Sequence, residues 1–247
     1  MKKFNEWVKG RALKGKIAHL AKTLQNLIAT TSLGESAQEE SLALWSDPNF
    51  LKWLRSRGVT GQPTHHVDGG VGRAYFIGDK VVKFTDNRVE GNVANMVAGN
   101  PKSPTRIISV YRFKPKPIWA ILQHKVDMDL PKMIKDASDI LMAYVDDTGI
   151  DEFPEDRHKM AHDAAVSYNR LDLEPFILEM ISVLYGLYRN TGFFHDDAVP
   201  GNIGVHGGKV VIPDLGPNKT KYFNARKSLD KIHDRRGKLG LPSYSEI

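Results

Sequence analysis

The chain contains no cysteine. A disulfide framework, a thiolate metal site and a cysteine nucleophile are therefore excluded. It also lacks any apolar run near the roughly 18–20 residues that a membrane-crossing helix requires. The best candidate, residues 176–188, is too short and holds Glu179. The basic N-terminus has no apolar stretch of the kind that marks a secretory signal. The expected compartment is thus the cytoplasm, bacterial or that of a host cell if the source is viral, and no membrane partner is expected. No Gly-x4-Gly-Lys-Ser/Thr segment occurs, which removes the P-loop route to phosphate binding. The histidines, among them His65, His66, His124 and His206, show no zinc-ligand spacing. No repeat of solenoid length and no low-complexity segment is visible.

What is present is ordinary globular material: 247 residues, 41% hydrophobic and 26% charged. That length can bury a sizeable core in one domain or two small lobes. The net charge of +6 is concentrated at the ends. The first 22 residues carry seven Lys/Arg against Glu6, and residues 217–247 carry eight against Asp230, Asp234 and Glu246, which leaves −5 for the middle. Basic ends of this kind can steer a chain to nucleic acid or an acidic partner. The plainer reading is a pair of solvated helix faces.

The pattern divides the chain into three. Residues 1–60 form a helical N-terminal extension. Its first apolar stripe is Leu13, Ile17, Leu20, Leu24, Leu27 and Ile28, a capping box opens at Ser36, and a third helix starts at Asp47-Pro48 and stops at Gly58. Residues 61–126 read as a small antiparallel sheet interrupted by one helix. Gly69, Gly70 and Gly72 cluster before a hairpin of residues 73–77 and 80–84, turned by Gly78-Asp79. Asp86 is a cap for a helix with Val89, Val93, Met96 and Val97 on its apolar face, and residues 107–113 and 118–123 are further strands. Residues 127–247 turn helical, at about 131–146, 155–170 and 174–190, then give two short strands around His206-Gly207-Gly208 and a basic C-terminal tail. This order predicts an α+β fold of two lobes, with a ligand in the cleft between them.

The chemistry-bearing residues are His195-Asp196-Asp197, then Asn202, then Asp214-Leu215-Gly216 twelve residues on. Metal-assisted phosphoryl transfer requires this inventory. One carboxylate takes or orients the proton of the attacking hydroxyl, while an amide oxygen and a second carboxylate hold Mg²⁺, which prefers hard oxygen ligands. Upstream, a glycine-rich turn lets backbone N–H groups approach phosphates, Lys83 can pair with phosphate oxygens, and Glu90 can hold Lys83 in place. Taken singly, these signals have plain structural readings: a snorkelling surface lysine, an acidic residue in a first helical turn, a common glycine turn.

Together and in this order, Gly69/Gly70/Gly72, Val82-Lys83, Glu90, His195-x-Asp197-x4-Asn202 and Asp214-Leu-Gly216 resemble the protein kinase-like superfamily, over residues 65–217. That superfamily includes protein kinases and small-molecule kinases of the aminoglycoside phosphotransferase type, and compact bacterial and phage chains are the most similar. The resemblance implies a two-lobed kinase-like fold with an antiparallel-sheet N-lobe and a reduced helical C-lobe. ATP and Mg²⁺ would lie in the cleft. Asp197 falls on the catalytic base, Asn202 and Asp214 on the metal ligands, Lys83 on the phosphate-binding lysine and Glu90 on its ion-pair partner. Gln123, Lys125 and Val126 fall on the hinge that meets the adenine, and His195 on a residue that braces the loop.

The match departs from the family in four places. The glycines are spaced 69, 70 and 72 rather than as Gly-x-Gly-x-x-Gly. Asp196 stands where regulated protein kinases carry an arginine that would bind a phosphorylated loop. Leu215 replaces a frequent Phe. After Gly216 there are 31 residues, with no Ala-Pro-Glu element and no room for the usual peptide-docking helices. The expected activity is an ATP-dependent protein kinase acting on Ser/Thr hydroxyls. The alternatives are a small-molecule phosphotransferase and, from another class, a non-catalytic nucleotide- or nucleic-acid-binding module. Partners are accordingly a protein substrate or a small-molecule acceptor.

Overall fold

A computed structural model of the chain describes residues 44–68, 72–114, 116–216 and 225–243. The first two expected helices, Gly69, Gly70 and residues 217–224 lie outside these. The chain divides into two compact units, Met1–Lys52 and Trp53–Ile247. The architecture is α+β, with a five-stranded antiparallel sheet, a separate two-stranded ribbon and six α-helices among the described residues. No helix among them is long and apolar enough to cross a membrane.

Helix α1 is Pro48–Ser56. Asp47 caps it, its Oδ1 accepting the N–H groups of Asn49 at 2.8 Å and Phe50 at 2.9 Å, as the Asp-Pro signal predicts. The large sheet runs β1 (His65–Asp68), β2 (Gly72–Ile77), β3 (Lys80–Thr85), β4 (Ile107–Phe113) and β5 (Ile118–His124), in spatial order β1-β2-β3-β5-β4. The β2–β3 hairpin pairs Ile77 with Lys80 and Ala74 with Lys83. β3 is central, and residues Val81–Thr85 are buried on both faces. On one face, Tyr75, Phe84, Phe113, Tyr111 and Trp53 form a chain of ring contacts 4.9–6.1 Å apart. The other face carries Lys83 and Thr85, opposite Ile121 and Trp119 on β5.

Helix α2 (Arg88–Val97) packs across that second face. Its cap is Asn87 rather than Asp86. The Asn87 Oδ1 accepts from Val89 N at 2.9 Å and Glu90 N at 3.1 Å, satisfying two of the donors that every helix start leaves open. Gly91 permits the close seating of α2. A Cβ there would lie 2.4 Å from Trp119 Cδ2, well inside carbon–carbon contact distance.

The helical part comprises α3 (Lys132–Thr148), α4 (Arg157–Ser167) and α5 (Glu174–Thr191). In α5, Ile177, Met180, Ile181, Leu184, Leu187 and Tyr188 recur three and four apart and are all buried, each large aliphatic contributing about 1.5–3 kcal/mol. Pro175 sits in its first turn and Gly192, at φ +75°, ends it. The ribbon β6 (Gly204–His206) and β7 (Lys209–Val211) follows.

Two elements differ from the sequence reading. β1 is an edge strand where no strand was expected, because its exposed His65, His66 and Val67 carry no apolar alternation. The basic tail contains α6 (Ala225–Lys238), which buries Leu229 and Ile232 in the main core. Its charges are largely paired: Lys231 with Asp151 at 3.0 Å, Lys238 with Glu152 at 3.0 Å and Arg235 with Asp151 at 3.4 Å.

Candidate active site

Lys83 projects from β3, on the face that α2 covers. Its Nζ lies 2.6 Å from Glu90 Oε1 and 2.8 Å from Asp214 Oδ1. These three residues are 131 positions apart at the extremes, and the fold brings them to one point. Glu90 reaches Lys83 because α2 presents its first turn to the sheet, with the Glu90 side chain only 1% exposed. Burial pushes the Glu90 carboxyl above the usual carboxylate range, and the Lys83 ammonium and the Thr85 hydroxyl pull the other way without cancelling it. Burial works against the charge on Lys83, but the two carboxylates outweigh it and hold the ammonium well above the usual lysine range. Lys83 is therefore a fixed cation at neutral pH. Asp214 is likewise held below the usual carboxylate range: burial opposes its charge, and Lys83 and the Gly216 N–H, 2.8 Å from Oδ1, more than compensate.

Asp197 and Asn202 form the second group. The Asn202 Nδ2 donates to Asp197 Oδ2 at 3.0 Å and to the Asp197 carbonyl at 2.7 Å. That arrangement fixes the loop and leaves the Asn202 amide oxygen without a partner among the described residues. Burial pushes the Asp197 carboxyl up, and the negative charge of Asp214 adds to this. A carboxylate so placed is a better proton acceptor than an exposed aspartate.

His195 joins the two groups. Its Nε2 donates to the Asp214 carbonyl at 2.7 Å, and its Nδ1 accepts the Asp197 N–H at 3.2 Å. Both bonds require the neutral ring with the proton on Nε2, and burial lowers the pKa of His195 accordingly. The ring is a strut between two backbone segments.

The expected hinge residues lie on β5 and the segment after it. Gln123 is buried on the β5 face that carries Ile121 and Trp119. Lys125 has its backbone N–H engaged by the Asp79 carbonyl at 2.8 Å, so that donor is not open to a ligand. Val126 lines a cavity of about 680 Å³ together with Phe76, His124, Lys125, Met128 and His206. The following residue, Asp127, exchanges two backbone hydrogen bonds with Val205 at 2.7 and 2.9 Å. This ties the segment leaving the sheet to the ribbon that follows Asn202.

Gly72 has a structural reason for lacking a side chain. It opens β2 opposite Thr85, and a Cβ would lie 2.2 Å from the Phe84 carbonyl oxygen. Sequence reasoning missed Thr85, Trp119 and Gly91, whose roles depend on contacts between elements. Among the described residues no cluster of three or more His, Asp or Glu forms a metal cage by itself. Asp214 and Asn202 still supply a carboxylate and an amide oxygen, the hard donors that suit Mg²⁺ held jointly with phosphates.

Compared with protein-family models, with curated proteins and with solved structures, the chain matches none.

Proposed function

We propose that the chain is an ATP-dependent phosphotransferase built on a protein kinase-like plan, with the sheet and α2 as one lobe and the helices α3–α6 as the other. The observation that carries this reading is Lys83. It is a buried, permanently charged cation held by Glu90 and Asp214, one strut away from an Asp197–Asn202 pair. A cation of this kind neutralises phosphate oxygens, and Asp214 with Asn202 would hold Mg²⁺ against the same oxygens, the metal supplying charge neutralisation of the phosphates when bound. Asp197 accepts the proton of an acceptor hydroxyl as its oxygen bonds to the γ-phosphorus. The bond from that phosphorus to the bridging oxygen breaks, and ADP leaves.

The first acceptor class is a protein Ser/Thr hydroxyl. A second reading, a small cationic alcohol, is favoured by α3. That helix packs on the catalytic segment, with Ser138 hydrogen-bonded to the Ala198 carbonyl and Met142 Sδ accepting the Ala198 N–H at 3.2 Å. Its Asp146 adds negative charge that Asp197 senses. The deciding test is transfer from γ-labelled ATP with Mg²⁺, to a cell lysate and separately to a pool of hydroxylated amines and sugars. Label on protein bands that disappears with Asp197→Ala supports a protein kinase, and label on small molecules alone supports the second reading. No transfer to either pool counts against the proposal.

A further inference from the structure

The segment from Gly192 to Val199 has no regular secondary structure, so its buried backbone groups need partners from outside it. Ala198, directly after Asp197, is fully buried. Its N–H is accepted by Met142 Sδ at 3.2 Å, and its carbonyl accepts from the Ser138 hydroxyl. Among the described residues the N–H has no other acceptor. Ser138 and Met142 lie four apart on α3, one turn along the same face, and both are buried. Neither is the plain choice for such a position. Alanine favours a helix more than serine does, a buried hydroxyl is costly unless bonded, and leucine replaces methionine in a core at little cost. What the two residues supply is one donor and one acceptor, both directed at the residue next to Asp197.

We infer that Met142 and Ser138 are positioning residues for Asp197, and that α3 sets the aim of its carboxylate. This rests on the reading of Asp197 as the proton acceptor. The Asp197 carbonyl and the Ala198 N–H belong to one planar peptide unit. Asn202 Nδ2 holds the first at 2.7 Å and Met142 Sδ holds the second, so the plane is gripped from both sides. Ser138 grips the carbonyl of the next unit. With these contacts made, neither unit can rotate without leaving a buried group unpaired. The Asp197 side chain departs from the edge of the gripped plane, and its Oδ2 stays 3.0 Å from Asn202 Nδ2. Without the sulfur the plane is held only from the Asn202 side, and the carboxylate loses its aim at the acceptor hydroxyl. A misplacement of about 1 Å can slow a reaction about a hundredfold.

The test uses the full chain as parent, Met142→Leu, Met142→Gln and Ser138→Ala. Transfer from γ-labelled ATP with Mg²⁺ is measured at saturating ATP, to whichever of the two acceptor pools the parent labels. Affinity for a non-hydrolysable ATP analogue is measured by calorimetry on the same proteins. Met142→Leu and Ser138→Ala should each transfer about 10–100-fold more slowly, with analogue affinity within about twofold of the parent. Met142→Gln restores an acceptor to the Ala198 N–H and should transfer within about threefold of the parent. Ser138→Ala removes a single oxygen and keeps a strong helix former, so it decides the matter alone if a Met142 variant does not fold. A parental rate in Met142→Leu or Ser138→Ala overturns the inference and leaves the phosphotransferase reading intact. Transfer by Met142→Gln as slow as by Met142→Leu also overturns it, because side-chain shape and not the acceptor then matters. So does a loss of analogue affinity as large as the loss of rate, because α3 then supports the whole cleft rather than Asp197. No transfer by the parent to either pool overturns both.

Discussion

Gly91→Ala should destabilise the protein, against the usual sign for this change. In a helix interior, alanine for glycine ordinarily stabilises by up to about 1 kcal/mol. Here the added methyl would lie 2.4, 2.5 and 2.8 Å from Trp119 Cδ2, Cγ and Cδ1. Carbon atoms pack at about 3.5–4.0 Å, so α2 or the indole must yield by roughly 1 Å. Trp119 is 1% exposed and has little space to move. Overpacking of this kind costs about 1–3 kcal/mol, which exceeds the propensity gain and leaves a net loss of about 1 kcal/mol. Glu90 precedes Gly91 directly, so the same displacement lengthens the 2.6 Å contact with Lys83. The assay is urea unfolding of four proteins: parent, Gly91→Ala, Trp119→Ala and the double variant. Trp119→Ala alone should cost about 3–5 kcal/mol. In its background Gly91→Ala should become stabilising by up to about 1 kcal/mol, because the obstruction is gone. Stabilisation of the parent by Gly91→Ala would refute the close seating of α2 on Trp119.

Glu90→Gln removes the carboxylate nearest Lys83 but leaves Asp214, so its cost should fall below the roughly 3–5 kcal/mol of orphaning a buried charge; about 1–3 kcal/mol is expected in urea unfolding, with a clear loss of ATP affinity. A cost equal to that of Lys83→Met would mean that Asp214 does not share the ammonium. The lowered pKa of His195 gives a stability that is complete above the unfolded value near 6.5 and falls as pH drops through the window below it, because only the unfolded chain then takes up the proton. In unfolding measured from pH 7 to pH 5, His195→Gln should lose up to about 1.4 kcal/mol per pH unit of that slope; parallel curves would show that the ring is not held neutral.

The parts of this account that could be read in the sequence are those where chemistry restricts the residue type. Proton acceptance, metal coordination and phosphate pairing admit few side chains, so Lys83, Glu90, Asp197, Asn202 and Asp214 stood out by type and order, and the fold brings them into two adjoining groups. Strong periodicity likewise made α5 and the β2–β3 hairpin legible. β1 escaped because an exposed edge strand needs no apolar alternation. The cap of α2 was misplaced by one residue because Asp86 and Asn87 are both competent, and only geometry decides between them. Gly91 and Trp119 are 28 positions apart, and nothing local marks their contact. The charges of α6 suggested an outward basic face. Asp151 and Glu152, about 80 positions earlier, neutralise part of that charge, with Arg235 buried and Lys231 and Lys238 paired at the surface.

The central claim is that Lys83 and Asp214 form a phosphate site that requires a divalent cation. Its most direct test is calorimetric titration of the full chain with a non-hydrolysable ATP analogue, with Mg²⁺ and with EDTA, in the parent and in Asp214→Asn. The account predicts binding to the parent with Mg²⁺, at least tenfold weaker binding without it, and no Mg²⁺ dependence in Asp214→Asn. Equal affinity with Mg²⁺ and with EDTA, or an unchanged Mg²⁺ dependence in Asp214→Asn, would contradict it.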